Sequence, residues 1–310
     1  MNNLTGADVL ARRGITPEPV PASSALRFPD GAHFRIEIPS VEGPGVFRAV
    51  IDQAAAEDVT VNRVSQGSGA MLLSMAELAE MAQLGADHGI EVSLFVGPRE
   101  EWDVGSLAQS GEGPSRAGLI RGARQLRYAI DDVLRGVEYG IRGFLVADPG
   151  LLELLAEMQR RGELPGSVVW KVSAMLAPAN PLTVSQLDRL GASTINVPSD
   201  ATLGQLAEMR AVTRLPIDLY VEAPSGMGGT VRGQEAADLV TVTAPLYTKF
   251  GLRNARPLYP SGLHLVNEAS MIAREKVHRA GVALEWIRRS GLNLVQSGPG
   301  APGLGVPEPS

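Results

Sequence analysis

Between residues 33 and 250 the chain repeats one pattern eight times: a short run rich in β-branched and aromatic residues, then a stretch with helical spacing. Runs of the first kind read as strands, and strands alternating with helical segments read as parallel strand–helix units. The strand runs are 33–38, 61–65, 91–96, 143–147, 168–174, 194–197, 217–222 and 246–250. Helical spacing fills 46–57, 74–88, 115–140, 151–161, a short piece from Thr183 or Ser185 to Leu190, a piece from Asp200 to about Val212, and 233–242. Ser74 with Glu77 three residues on forms a capping box. A long loop, 251–262, precedes a last helix over 266–289. Eight units in about 260 residues have the length and alternation of a (β/α)8 barrel. A doubly wound open sheet is the alternative, but no glycine-rich fingerprint follows the first strand.

The organisation expected around this barrel is simple. Residues 1–30 hold a short helix over 5–14 with Thr5 as its N-cap, then an extended arm bearing Pro17, Pro19 and Pro21. Residues 31–292 are the barrel with its closing C-terminal helix, which packs on the barrel or, alternatively, forms a homodimer contact. Residues 293–310, rich in Gly and Pro, read as a disordered tail.

Lysine is scarce. The chain has three, Lys171, Lys249 and Lys276, and the first two lie inside apolar strand runs. An ammonium in a buried strand is costly unless it is paired or neutralised, and it is the cation whose pKa moves most readily on burial.

In a closed barrel alternate residues of each strand face the axis, and ligand groups gather at the strands' C-terminal ends. Applied to each strand, this rule selects Arg35 and Glu37, Arg63 and Ser65, Asp148, Lys171 and Ser173, Asn196, then Tyr220 and Glu222 in phase with Asp218, and finally Lys249. Strands buried on both faces are expected to be apolar throughout. One in-phase polar set on most strands therefore implies a polar central cavity. Glu37, Lys171, Glu222 and Lys249 are the candidate catalytic residues, the lysines as clamp, proton-transfer group or Schiff-base amine and the carboxylates as acid or base. Arg35, Arg63, Ser65, Asp148, Ser173, Asn196 and Tyr220 are candidate substrate contacts. Gly228 and Gly229 lie in a glycine-rich turn before a helix, which suits an anion; Arg253 and Asn254, just past the last strand, would complete that site. The 251–262 loop lies where a lid would.

With 44% hydrophobic and 20% charged residues and a formal charge of -6, the chain is expected to be a cytoplasmic protein acting on a small molecule, with no nucleic-acid partner and no membrane span. The absence of cysteine excludes disulfides, thiolate nucleophiles and Cys-ligated metals. No cofactor is expected. The alternative is a divalent metal on Glu37, Asp148 and Glu222.

Three segments carry a resemblance: Glu37-Ile-Pro-Ser-Val-Glu-Gly, Gly89-Ile-Glu-Val-Ser-Leu-Phe-Val-Gly-Pro-Arg and Ala244-Pro-Leu-Tyr-Thr-Lys-Phe-Gly-Leu-Arg-Asn-Ala. Here the chain resembles actinobacterial proteins grouped with the U32 peptidase-like (collagenase-like) barrel family. The resemblance implies a TIM-type barrel and a hydrolase label. That family's cysteine-bearing loop corresponds to Leu219-Tyr-Val-Glu-Ala-Pro-Ser-Gly-Met-Gly-Gly, which has no cysteine. No iron–sulfur cluster is implied, and no catalytic residue is carried over. The function expected from the residues is a barrel enzyme using Lys/Glu acid–base or Schiff-base chemistry on a small polar, anionic metabolite, as lyase, isomerase or hydrolase. A barrel that binds a ligand or partner without chemistry is the alternative.

Overall fold

A computed structural model describes residues 5–97 and 118–309. Its strands are β1 Phe34–Pro39, β2 Arg63–Gln66, β3 Glu91–Phe95, β4 Gly143–Val146, β5 Val169–Val172, β6 Thr194–Asn196, β7 Ile217–Glu222 and β8 Leu246–Phe250. All pair in parallel in chain order, and β8 returns to β1, so the sheet is a closed barrel. The (β/α)8 reading holds, and the open sheet is ruled out by that last pairing. Register across the closure sets Glu37 opposite Lys249, as the strand count required.

The helices are α1 Gly6–Ala11, α2 Pro44–Glu57, α3 Met75–His88, α4 Gly122–Glu138, α5 Pro149–Arg160, α6 Pro181–Arg189, α7 Leu203–Ala211, α8 Ala236–Thr243 and α9 Val266–Arg289. Local chemistry sets their starts. Thr5, Ser74 and Thr202 form capping boxes, Asp148 and Asn180 cap α5 and α6, and a proline follows at the first helical position of each of those two. Of the helix expected over 115–140, residues 115–117 lie outside the described residues and 118–121 are not helical; α4 begins at Gly122.

The outward faces of the strands carry the apolar core. Ile36, Val64, Val92, Phe144, Trp170, Ile195, Leu219 and Leu246 are buried against helix residues such as Val50, Leu78, Val133, Leu155 and Leu206. Trp170 stacks on Phe144 and donates its indole N–H to Gln159 of α5 at 2.6 Å. α9 buries Ala269, Ala273, Val277, Ala280 and Ala283, a stripe of small residues that lets it lie close on α2. Lys276 sits in that stripe, 1% exposed, and donates to Pro39 O at 2.7 Å.

The expectation of a disordered tail is corrected. Gln296 bridges alongside Phe34, and residues 296–308 run across the N-terminal end of the barrel. Arg35 donates to Ser297 Oγ (3.0 Å) and Pro302 O (2.6 Å), Asn62 donates to Ser297 O (3.0 Å), and Glu91 accepts from Gly305 N (3.1 Å). Glycine and proline give this segment no helix or strand of its own. The polar residues at the strand starts supply its order instead. Among the described residues no helix is long and apolar enough to cross a membrane.

Candidate active site

Inward-facing side chains divide the barrel interior into a floor, a middle and a mouth. On the floor, Arg35 lies 4.0 Å from the Phe28 ring centroid and donates to Tyr247 Oη at 3.0 Å. Arg35 is thus a structural residue at the end opposite the mouth, and its expected role as a substrate contact is withdrawn. It precedes Glu37 by two residues, which keeps the face but costs one layer of depth.

In the middle stands Arg63, fully buried, its guanidinium 3.5 Å above the Tyr247 ring. Its Nε is 2.6 Å from Glu91, and its Nη1 is 2.8 Å from Asp218 and 3.4 Å from Glu37. Thr194 donates to the second oxygen of Asp218 at 2.6 Å. Three carboxylates converge here, and a guanidinium already fills the space a metal would need. Among the described residues no group of His, Asp or Glu side chains is placed to hold a metal, and Asp148 and Glu222 stand away from Glu37.

At the mouth Glu37 is shared. Lys171 Nζ donates to Glu37 Oε1 and to Ser65 Oγ (2.9 Å), while Ser65 donates to the same carboxylate oxygen at 2.7 Å. Lys249 Nζ lies 3.7 Å from that oxygen, donates to Asn196 Oδ1, and stands 4.1 Å from the Tyr220 ring centroid. Asn196 is itself oriented by donating to Val172 O at 2.5 Å. Burial pushes the Glu37 carboxyl up, but Lys171, Lys249 and Arg63 together overcome it and hold Glu37 well below the usual carboxylate range. The Lys171 amine is brought down to about 7, chiefly by burial and further by Lys249, with Glu37 opposing. Tyr220 is pushed up, first by burial and then by Glu37 and Asp218, so its phenol stays neutral.

These groups line a cavity of about 40 Å³ bounded by Glu37, Ser65, Lys171, Tyr220, Lys249 and, from above, Tyr259. The 251–262 loop folds back over the strand ends: Tyr259 Oη and Ser40 Oγ are 2.6 Å apart, and Ser261 N donates to Ser68 Oγ at 2.8 Å. A side chain at Gly67 would stand 2.5 Å from the Tyr259 ring, so a glycine there lets the loop seat. Glu42 accepts from Gly67 N and Ser68 N, both at 2.9 Å, and fixes the wall on which Tyr259 rests. Burial brings Lys276, behind that wall, down to about 8 against the pull of Glu42.

Several expected residues are placed elsewhere. Glu222 is turned away by a register shift between Tyr220 and Glu222, a bulge that breaks the alternation on which the reading relied. Its carboxylate accepts from Arg253 N at 2.9 Å and lies 3.9 Å from Arg279 of α9. Asp148 caps α5 and accepts from Ile120 N, and Ser173 caps the turn that follows β5 by accepting from Met175 N. The Gly228–Gly229 turn offers no anion site, because its amides already donate to Ser225 O and Pro224 O. Arg253 and Asn254 give their own backbone amides to Glu222 and Ser225. Sequence reasoning placed Asp218 on the inward face without giving it a role, and it missed Glu91, Thr194 and Tyr259. Glu91 and Thr194 share the inward parity but open their strands, where a rule aimed at strand ends does not look.

No family model matches the chain, and no curated protein matches it. Among solved structures it is similar to a U32 peptidase, with 20% identity over 62% of this chain and 70% of that one and a TM-score of 0.42. It is also similar to the copper homeostasis protein CutC from Streptococcus agalactiae (14% identity, 70% and 98% covered, TM-score 0.47). The carboxyl transferase domain of Rhizobium etli pyruvate carboxylase is a third (11% identity, 86% and 49% covered, TM-score 0.44). At these identities and scores the likenesses carry no argument about chemistry.

Proposed function

We propose that the chain is a barrel enzyme that activates a small carbonyl compound through the amine of Lys171, in lyase or isomerase chemistry. One observation carries the reading: the Lys171 amine, brought down to about 7, lines the mouth cavity in contact with an ionised carboxylate. Lysine attacks a carbonyl only as the free amine, and desolvation or a second cation nearby is how proteins supply that form near neutral pH. Burial and Lys249 are both present here.

The chemistry follows from the contacts. Lys171 gives up its proton to solvent, and the freed lone pair forms a bond to the carbonyl carbon while the π electrons move to oxygen. Lys249 holds positive charge beside the oxygen as it becomes an alkoxide. The amine proton moves to that oxygen. A proton taken up from solvent lets the hydroxyl leave as water, and a protonated imine remains on Lys171 beside the Glu37 carboxylate. In sum, an amine, a carbonyl and a proton give an iminium and water. The iminium draws electrons from the neighbouring carbon, so a C–H or C–C bond there can break, and addition of water restores the lysine. Lifting of the 251–262 loop admits substrate, and its return keeps bulk water from the imine.

The test is reductive trapping. The full chain is incubated with a panel of small aldehydes and ketones and borohydride, and adducts are located by intact mass and peptide mapping. The expected result is a single adduct on Lys171, lost in Lys171→Arg. No adduct at Lys171 with any carbonyl compound removes amine catalysis.

A further inference from the structure

We infer that the substrate presents an uncharged carbonyl group to Lys171, an aldehyde or hydroxyketone end, with no carboxylate or phosphate on the adjoining carbon. This inference rests on the amine chemistry proposed above and names the substrate class for it. Two observations on the mouth and middle layers carry it, one of charge and one of space.

Around the cavity the buried charges balance. Arg63, Lys171 and Lys249 face Glu37, Glu91 and Asp218, three cations against three carboxylates, all with side chains no more than 4% exposed or lying among the fully buried residues. Arg35, the remaining interior cation, is a layer further down, beyond the Tyr247 ring, and its guanidinium is held by Ser297, Tyr247 and Pro302. Both oxygens of Glu37 are in use, by Lys171 and Ser65 on one and Arg63 on the other. Lys249 shares Glu37 and is also bound to Asn196. Among the described residues that line the cavity, no surplus positive charge remains to receive an anion. When Lys171 attacks as a free amine the set is one positive charge short, and a carboxylate beside the carbonyl deepens that deficit among buried charges. A neutral carbonyl instead restores the balance, because the iminium it forms puts the positive charge back beside Glu37.

Space points the same way. Benzene fills a protein cavity of about 150 Å³, or about 25 Å³ per heavy atom. The half-open cavity of about 40 Å³ beside Tyr259 therefore takes about two heavy atoms, a carbonyl carbon and its oxygen, and leaves the rest of the substrate at its open side. The rest of the substrate lies toward Ser40 and Tyr259, whose hydroxyl groups carry no charge.

Glycolaldehyde and glyoxylate, two-carbon aldehydes that differ in a hydroxymethyl against a carboxylate, make the comparison. The rate of borohydride-trapped adduct formation on Lys171 is measured for each at pH 7.5 and divided by its rate on Nα-acetyl-lysine. The three lysines of the chain are all buried, so the map of adducts is simple to read. The normalised rate is expected to favour glycolaldehyde by about tenfold or more, the factor set by roughly one unfavourable charge contact. Asp218→Asn, which leaves one cation in surplus, is expected to move the ratio toward glyoxylate by about the same factor; Glu91→Gln makes the equivalent change if that variant does not fold. Glyoxylate trapped as fast as glycolaldehyde, or faster, overturns the substrate class and leaves the amine reading standing. Absence of any adduct at Lys171 overturns both. The wild-type ratio alone decides between these outcomes.

Discussion

If Lys171 is held as a nearly neutral amine, the protein must gain stability as the pH rises above 7, and Lys171→Met must abolish that gain. In the unfolded chain a lysine keeps its proton to about 10.4, whereas in the fold Lys171 releases it at about 7. Between those values the unfolded state binds more protons than the native state. Stability therefore climbs with pH through that window, at most about 1.4 kcal/mol per pH unit. Native Lys171 is only half deprotonated at pH 7, so the gain from pH 7 to 9 comes to about 2 kcal/mol. Urea unfolding of wild type and Lys171→Met at both pH values isolates it, since every other titrating group is common to the two proteins. With a slope of about 3 kcal/mol per molar urea, the midpoint difference between the two moves by about 0.7 M in favour of wild type. A difference that stays flat from pH 7 to 9 means Lys171 is an ordinary ammonium locked to Glu37. The free-amine argument then fails with it.

Three further outcomes test the surroundings of the cavity. Removing residues 296–310 takes two partners from Arg35 and one from Glu91; at about 1.5–3 kcal/mol for each bond to a charged group, about 5 kcal/mol of stability goes, and an unchanged unfolding midpoint contradicts the ordered floor. Gly67→Ala drives a methyl group into the Tyr259 ring, so hydrogen exchange in 251–262 speeds up while the global unfolding free energy changes by about 1 kcal/mol or less; unaltered exchange means the loop does not rest there. Arg63→Met leaves Glu91 and Asp218 buried without their cation and costs about 3–5 kcal/mol; urea unfolding of the variant and wild type at pH 7 reads the loss, and equal stabilities contradict the buried network.

Much of this was legible before any coordinates. Strand alternation is a two-residue period, so once the strands are found, the side that Glu37, Ser65, Lys171, Asn196, Tyr220 and Lys249 share follows from parity alone. Closure of eight strands then sets Lys249 beside Glu37. Parity fails where the backbone is irregular, as at the Tyr220–Glu222 bulge, which the local sequence does not announce. Depth along the axis is a second blind spot: Arg35 and Glu37 share a face but stand a layer apart, and only strand stagger tells which layer meets solvent. The third is long-range pairing by segments with no periodicity. Nothing in the Gly/Pro-rich text of 296–308 shows that its backbone carbonyls will meet Arg35 and Asn62, because order borrowed from a distant partner leaves no local mark.

The floor of the barrel also has a bearing on biosynthesis. Arg35 enters the chain in the first strand, yet its acceptors at Ser297 and Pro302 come 262 and 267 residues later. At about 5–20 residues per second, a ribosome takes roughly 13–50 seconds to supply them. Throughout that interval the nascent chain holds a guanidinium and the Glu91 carboxylate in a sheet with no base. The early strands therefore have reason to stay solvated until residues 296–308 have emerged, and commitment to the closed barrel waits on that segment.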